Sequence, residues 1–329
     1  MMTFAAQIAP QRSTQYADLA ATLAPQELRL SPLGRQLTNL EPLSLGGQPY
    51  LQFDLPHAPD DAQRYELGTL AMSSAFFRLY PKLGSIDGPL LKPLETDFQP
   101  AFPSDLMMTR RYRGKTNECF THFMCNIARA SSRFQAQSWS ELRLFDPLAG
   151  GGTTLLAGLV LGAHVAGVEQ SDKDVETTAA FIQQYMREAR IGCQAQKGRL
   201  PGAGRRWNFE LGRRPRRQCV LAHGDTRDSA QLLSGFKPQL IVTDLPYGIQ
   251  HHGQLIDLLT AALPVWTSLL PVGGVVTFAW ESTRFPRTEM IALVEQVSRL
   301  KVFNDAPYSE LTHRVDRVIK QRDVIVARK

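Results

Sequence analysis

The chain has only four cysteines in 329 residues, Cys119, Cys125, Cys193 and Cys219, and no two of them form a C-x-x-C pair. That spacing excludes a zinc ribbon and a disulfide framework, and reduced, mostly buried thiols are expected. No apolar run approaches the roughly 20 residues needed to span a bilayer. Residues 1–30 carry Gln and Asp where a secretory segment would be apolar, so a cytoplasmic protein is expected. No lysine follows the three glycines at 150–152, which excludes a P-loop, and Leu155 stands where a dinucleotide turn would have its third glycine. Acid is scarce in one place: between Lys197 and Arg217 eight Lys or Arg residues face a single carboxylate, Glu210, against a net charge of +6 for the whole chain.

What is present centres on Leu142–Thr154, LRLFDPLAGGGTT. An apolar run stops at Asp146 and Pro147, and Gly150, Gly151 and Gly152 then open a segment with helical character from Thr153 to Gly162. This pattern predicts a buried strand, a tight turn and a helix N-terminus. Glycines there admit positive φ and let a ligand lie on bare backbone beside the partial positive charge of the helix start. Asp146 at the strand end suits a cationic ligand such as S-adenosylmethionine better than a polyphosphate. On the turn alone, a structural βα corner and a phosphate compound stay open.

Residues 1–40 read as helix and loop, with a helical patch at Thr14–Leu23. Tyr50–Leu55 alternates like a strand, Tyr65–Leu79 reads as helix running into strand, and Leu90–Leu94 as a short strand. These predict a small α+β module over 1–105, a candidate for substrate recognition, with proline and glycine thickening between Pro81 and Pro103. Met107–Ala130 leads into a helix with Phe120, Phe123, Met124, Ile127 and Ala128 on one face. Arg110, Arg111, Arg113 and Lys115 ahead of it read equally well as a solvated turn or as a phosphate or cofactor contact.

From residue 142 onward strands are expected at 142–146, 164–168, 218–222, 239–243, 274–280, near 300–304 and at 316–327, with helices at 153–161, 173–190, 254–269 and 287–299. That alternation predicts a Rossmann-like α/β domain over 106–329, a parallel sheet with helices on both faces. Ligands of such sheets bind beyond the carboxyl ends of the strands.

Three further strand ends carry suitable residues. Glu169, followed by Gln170, lies 23 residues past Asp146, an offset at which a carboxylate accepts bonds from both ribose hydroxyls. Asp225, followed by Thr226, ends the third strand where an adenine amine would be met. The fourth strand runs into Thr243-Asp244-Leu245-Pro246-Tyr247-Gly248, which suits methyl transfer to the exocyclic amine of a base. That nitrogen is a poor nucleophile because its lone pair is delocalised into the ring. A carboxylate and a backbone carbonyl that accept its two hydrogens pull it toward tetrahedral geometry, and an aromatic face beneath the base adds about 1–3 kcal/mol of stacking.

In that order and spacing, DPLAGGGTT, GVEQ, GD and TDLPYG resemble the motifs of class I S-adenosylmethionine-dependent methyltransferases. D-L-P-Y-G is similar to the [DN]-P-P-[YFW] signature of amino-methyltransferases, and the likeness is greatest to RNA guanine-N2 methyltransferases, whose tRNA members often carry an N-terminal THUMP domain. No THUMP pattern is recognisable in residues 1–105. The resemblance covers about Met107–Lys329 and implies a cofactor site of Asp146, Pro147, Ala149, Gly150, Gly152, Thr153, Glu169, Gln170, Asp225 and Thr226. It also implies that Asp244 and the carbonyl of Leu245 take the target amine in the loop stiffened by Pro246, with Tyr247 under the base. Leu245 departs from the family, where a first proline is common.

The insert 195–218 reads as a glycine- and proline-containing loop whose Arg205, Arg206, Trp207, Arg213, Arg214, Arg216 and Arg217, with Phe209, supply charges for phosphates and rings for bases. His251 reads as a substrate contact; with His252 it makes an i,i+1 pair whose rings point apart, so no metal is expected. Trp280 and Glu281 read as pocket wall or, for the tryptophan, core. The leading expectation is methylation of guanine N2 in tRNA or rRNA. The alternatives are a DNA adenine-N6 or cytosine-N4 methyltransferase, which would flip its base from a duplex, and a non-catalytic nucleic-acid-binding protein that keeps the cofactor fold.

Overall fold

The structure is a computed structural model that describes residues 1–11, 18–112, 114–200, 204–246, 252–315 and 320–329. The chain divides into two units, Met1–Gln99 with Asn304–Arg322, and Pro100–Phe303 with Asp323–Lys329.

The first unit contains β1 (Met2–Ile8), α1 (Leu19–Leu30), β2 (Thr38–Leu45), β3 (Gln48–Leu55), α2 (Asp61–Thr69), β4 (Ser73–Leu83) and β5 (Ile86–Leu94). Its strands pair antiparallel in the order β2-β3-β1-β4-β5. The expectation of helix and loop over residues 1–40 is therefore corrected: β1 is the central strand. Phe4, Ala5 and Ala6 in it are all buried, so no inside–outside alternation marks it, and alanine has little strand preference of its own. Pairing with β3 on one side and β4 on the other makes it a strand. A capping box starts α2: Asp60 accepts from the Gln63 amide while the Gln63 side chain accepts from the Asp60 amide.

The second unit runs α3 (Leu106–Thr109), α4 (Glu118–Ser131), β6 (Arg143–Asp146), α5 (Thr153–Leu161), β7 (His164–Glu169), α6 (Asp172–Glu188), β8 (Cys193–Leu200), β9 (Gly204–Leu211), β10 (Arg217–His223), α7 (Ser229–Leu232), β11 (Leu240–Asp244), α8 (His252–Leu269), β12 (Val275–Glu281), α9 (Arg287–Ser298) and β13 (Lys301–Val302). After it come β14 (His313–Arg314) and β15 (Gln321–Arg328). The large sheet has the order β13-β15-β12-β11-β6-β7-β10-β9-β8. β12, β11, β6, β7 and β10 pair in parallel, which makes this a Rossmann-like sheet flanked by helices. Its parallel strands carry near-continuous apolar runs because both faces are covered. Phe145, Ala166, Val168, Val220, Ile241, Val276 and Phe278 form one core at no more than 2% exposure, each large side chain contributing about 1.5–3 kcal/mol.

Over most of its described residues the insert 195–218 is strand rather than loop. β8 and β9 form a hairpin that adds to the sheet beside β10, and all three strands pair antiparallel. The signal lay in Trp207, Phe209 and Leu211: at every second position these residues turn inward, with Phe209 and Leu211 fully buried and Trp207 stacked on Phe209 at 5.8 Å. The surrounding arginines hid that period of two.

Candidate functional site

β11, β6, β7 and β10 lie side by side and run in the same direction. Their carboxyl ends therefore bring Asp244, Asp146, Glu169 and His223, with Asp225 just beyond, to one edge of the sheet. A cavity of about 810 Å³ opens there, in the size range of small-molecule sites. It is lined by Asp146, Pro147, Ala149, Gly150, Thr153, Glu169, Gln170, Asp225, Thr226, Asp244, Leu245 and Pro246 of the expected site. Gly150 and Asp244 thus share one cavity. Gly152 does not line it; at φ 84° it turns the chain into α5. Tyr247 and His251 lie outside the described residues.

The glycine turn is built from both sides. Gly150 has φ 49° and a Cβ there would meet nothing within 4 Å, so its bare face opens on the cavity. Beneath it, Glu169 accepts the Gly150 amide at 2.8 Å and the Ser171 amide at 2.7 Å. A Cβ on Gly151 would come within 2.2 Å of the Tyr112 ring, so only glycine lets that ring lie on the turn. The Tyr112 hydroxyl is in turn bonded to Thr153 Oγ1. Arg110 is buried and donates to the Gly151 carbonyl, Thr178 Oγ1 and Thr177 Oγ1; burial lowers its pKa and raises that of Tyr112.

Arg110 is therefore a brace under the turn rather than a solvated cation, and Lys115 is tied to the carbonyls of Met107 and Arg110 and to Glu118. Arg113 lies outside the described residues. Sequence reading did not single out Tyr112 or Thr116. Thr116 donates to Asp244 Oδ2 at 2.7 Å and lines the cavity, as do Gln254 and Asp257 of α8. These contacts join segments far apart in the chain, and no local pattern announces them.

Asp146 is 3% exposed and accepts the Leu148 amide at 3.0 Å. Burial outweighs its hydrogen bonds and raises its pKa to about 6. Asp225 is clamped by Arg227, Nε to Oδ1 at 2.9 Å and Nη2 to Oδ2 at 2.5 Å, which holds its carboxyl below the usual range. At this end the cavity is thus bordered by an arginine–carboxylate pair rather than a bare acid. The Thr226 hydroxyl accepts from Trp266 Nε1 at 2.9 Å, a bond that anchors the strand end to α8. The Leu245 amide donates to the Ala279 carbonyl at 2.9 Å and its side chain is buried, so the start of the loop is anchored where a proline could not donate. Trp280 is core, 1% exposed with Nε1 bonded to the Phe285 carbonyl.

The insert's cations do not converge on the cavity. β9 runs antiparallel to β10 with Arg205 opposite His223 and Leu211 opposite Arg217. Arg205 and Arg206 thus stand at the cavity edge, and Arg213, Arg214, Arg216 and Arg217 at the other. Arg205 pairs with Asp172, Arg206 donates to the Leu232 and Ser234 carbonyls, and Trp207 Nε1 donates to Glu176.

No family model matches the chain, and no curated protein matches it. Among solved structures it is similar to TrmN from Thermus thermophilus, with a TM-score of 0.49 and 12% identity over 100% of each chain. It is also similar to the rRNA methyltransferase aviRa from Streptomyces viridochromogenes, with a TM-score of 0.43 and 16% identity over 68% of this chain and 92% of that one. An RNA methyltransferase from Salinibacter ruber in complex with S-adenosyl-L-homocysteine gives 0.31 and 13% over 50% and 76%. At such scores and identities, any activity rests on the site itself.

Proposed function

We propose that the protein is an S-adenosylmethionine-dependent methyltransferase that modifies the exocyclic amine of a nucleobase in RNA, guanine N2 in tRNA or rRNA. The observation that carries this reading is that the glycine turn and Asp244 line the same cavity. The lining fits the cofactor: Asp146, Glu169, Asp225, Asp244 and Asp257 face it against one cation, Arg227, among the described residues, which favours a sulfonium and an ammonium over a polyphosphate. The open face of Gly150 leaves room for direct backbone contact.

Asp146 and Gly150 hold the methionine moiety, Gly152 only closing the turn behind them, with Glu169 on the ribose and Asp225 with Arg227 at the adenine end. Bound there, S-adenosylmethionine supplies an electrophilic methyl carbon. Asp244 and the Leu245 carbonyl accept the two hydrogens of the target amine and so direct its lone pair, and Asp244 takes the proton the nitrogen sheds. Holding the reacting atoms near about 3 Å provides much of the acceleration. Tyr247 supplies the stacking face. Asp257 favours guanine, because guanine N1–H and N2–H₂ are both donors and a second acceptor meets the first of them, whereas adenine N1 would be repelled.

The test incubates the purified protein with labelled S-adenosylmethionine and either total RNA or genomic DNA, then digests to nucleosides. Label in N2-methylguanosine is expected. Label in DNA nucleosides alone would replace RNA by DNA as substrate, and no label in either would remove the methyltransferase reading.

A further inference from the structure

The arginines at the far edge of the large sheet are better placed for a ligand than those beside the cavity. At the cavity edge, Lys197 and Arg205 are already neutralised by Glu176 and Asp172. At the amino edge Arg216 is paired with Glu210, but the register assembles a row of further arginines. Arg143, the first residue of β6, lies opposite His164, the first of β7. The Gln218 amide donates to His164 Nδ1 at 3.0 Å, which places Arg217 next in line. The Gly212 amide donates to the Gly192 carbonyl at 2.8 Å, which brings the C-terminal end of α6, with Arg187 and Arg190, to the turn that carries Arg213 and Arg214. Of the arginines in this row all except the half-buried Arg217 are exposed, and His164 is half-buried. His164 reports the local potential: burial and the charges of Arg217 and Arg143 all push its pKa down.

Arg190 adds a second kind of observation. It follows α6 at φ 55°, a conformation that costs a non-glycine residue about 1–2 kcal/mol and that glycine would adopt freely. An arginine is held where the fold alone would favour glycine.

We propose that this amino edge is a second polyanion-binding surface, which takes the sugar–phosphate backbone of an RNA while another part of the same molecule reaches the cavity. The choice of RNA rests on the function proposed above. Guanidinium groups in a row suit phosphates, which they bind bidentately. A membrane or protein partner would need apolar anchors. Among the described residues of this unit, the one large hydrophobic that stands exposed is Val272, ahead of β12 and two strands from β6. The seven residues of β10, at about 3.3 Å each, separate the two edges by about 20 Å. At roughly 3.4 Å per nucleotide, about six nucleotides bridge that distance, so a trinucleotide fills the cavity alone.

The test measures binding of a labelled RNA hairpin, a DNA duplex of equal length and an RNA trinucleotide by fluorescence anisotropy, without cofactor and across a salt series. The full-length protein is compared with the R143Q/R190Q/R213Q/R214Q variant and with R190G, in which the backbone strain is relieved, so that any loss of binding cannot come from unfolding. For the hairpin, the slope of log affinity against log salt should fall by about 0.7–0.9 per contact removed, hence by about 3 in the quadruple variant and by just under 1 in R190G. Trinucleotide binding and S-adenosylmethionine binding should be unchanged. An unaltered hairpin slope, or an equal loss for the trinucleotide, would overturn the second surface. Equal affinity and equal loss for the DNA duplex would overturn the assignment to RNA. If the hairpin binds through this edge yet neither total RNA nor genomic DNA gains label in the methylation assay, the surface stands and the methyltransferase reading falls.

Discussion

Replacing Asp146 by Asn should stabilise the free protein at neutral and alkaline pH while weakening its hold on a cationic ligand. The carboxyl is 3% exposed, and burial raises its pKa from 3.8 to about 6. In the unfolded chain it ionises near its ordinary value; in the folded chain it keeps its proton for about two further pH units. A raised folded pKa means that the contribution to stability is fully present below pH 3.8 and is lost as pH rises through about 6. At about 1.36 kcal/mol per unit, the folded state above that range carries a deficit on the order of 3 kcal/mol. Asparagine has nearly the same shape, keeps an oxygen for the Leu148 amide and never ionises. For a unit of this size 1 kcal/mol moves the melting temperature by roughly 2–4 °C, so Asp146→Asn should melt about 6–12 °C higher at pH 8, with the gap closing toward pH 4. Calorimetric melting across that range checks it. A gap that is flat with pH, or a variant less stable than the parent at pH 8, would refute the account of Asp146 as a buried charge kept for its ligand.

Gly151→Ala should push the Tyr112 ring off the turn, since the added carbon would lie 2.2 Å from it; overpacking of this kind costs about 1–3 kcal/mol, readable as a lower melting temperature together with weaker S-adenosylmethionine binding in calorimetry. Thr116→Val removes the donor to Asp244, and at about 1.5–3 kcal/mol for a bond to a charged group kcat should fall roughly 10- to 100-fold while cofactor affinity holds and Thr116→Ser retains most activity; equal kcat for Val and wild type would show that the bond does not position Asp244. Asp244→Ala should abolish transfer with cofactor affinity nearly unchanged, by steady-state kinetics and calorimetry, and full activity would rule out its role in holding the amine.

Local chemistry was sufficient for the skeleton of the large unit. Apolar runs that stop at an acid mark buried parallel strands wherever they occur, and Leu142–Asp146 and Leu240–Asp244 were legible for that reason. The glycine turn was equally legible, because positive φ at Gly150 and Gly152 is a demand that glycine meets without strain. Hidden were the features whose cause lies across the chain. β1 is a strand only because β3 and β4 flank it, and the return of 304–322 to the first unit is marked by no composition shift.

For the site, the order of acids along the chain was set by the sequence, but which of them face one another followed from strand order and register. Tertiary packing alone laid Tyr112 on Gly151, turned Arg110 inward and gave Asp244 its partner Thr116. The same register split one run of arginines between two edges of a sheet. A sequence carries each residue's charge, size and backbone preference, whereas the direction in which a side chain points and the partner it meets depend on segments that approach only when the chain has folded.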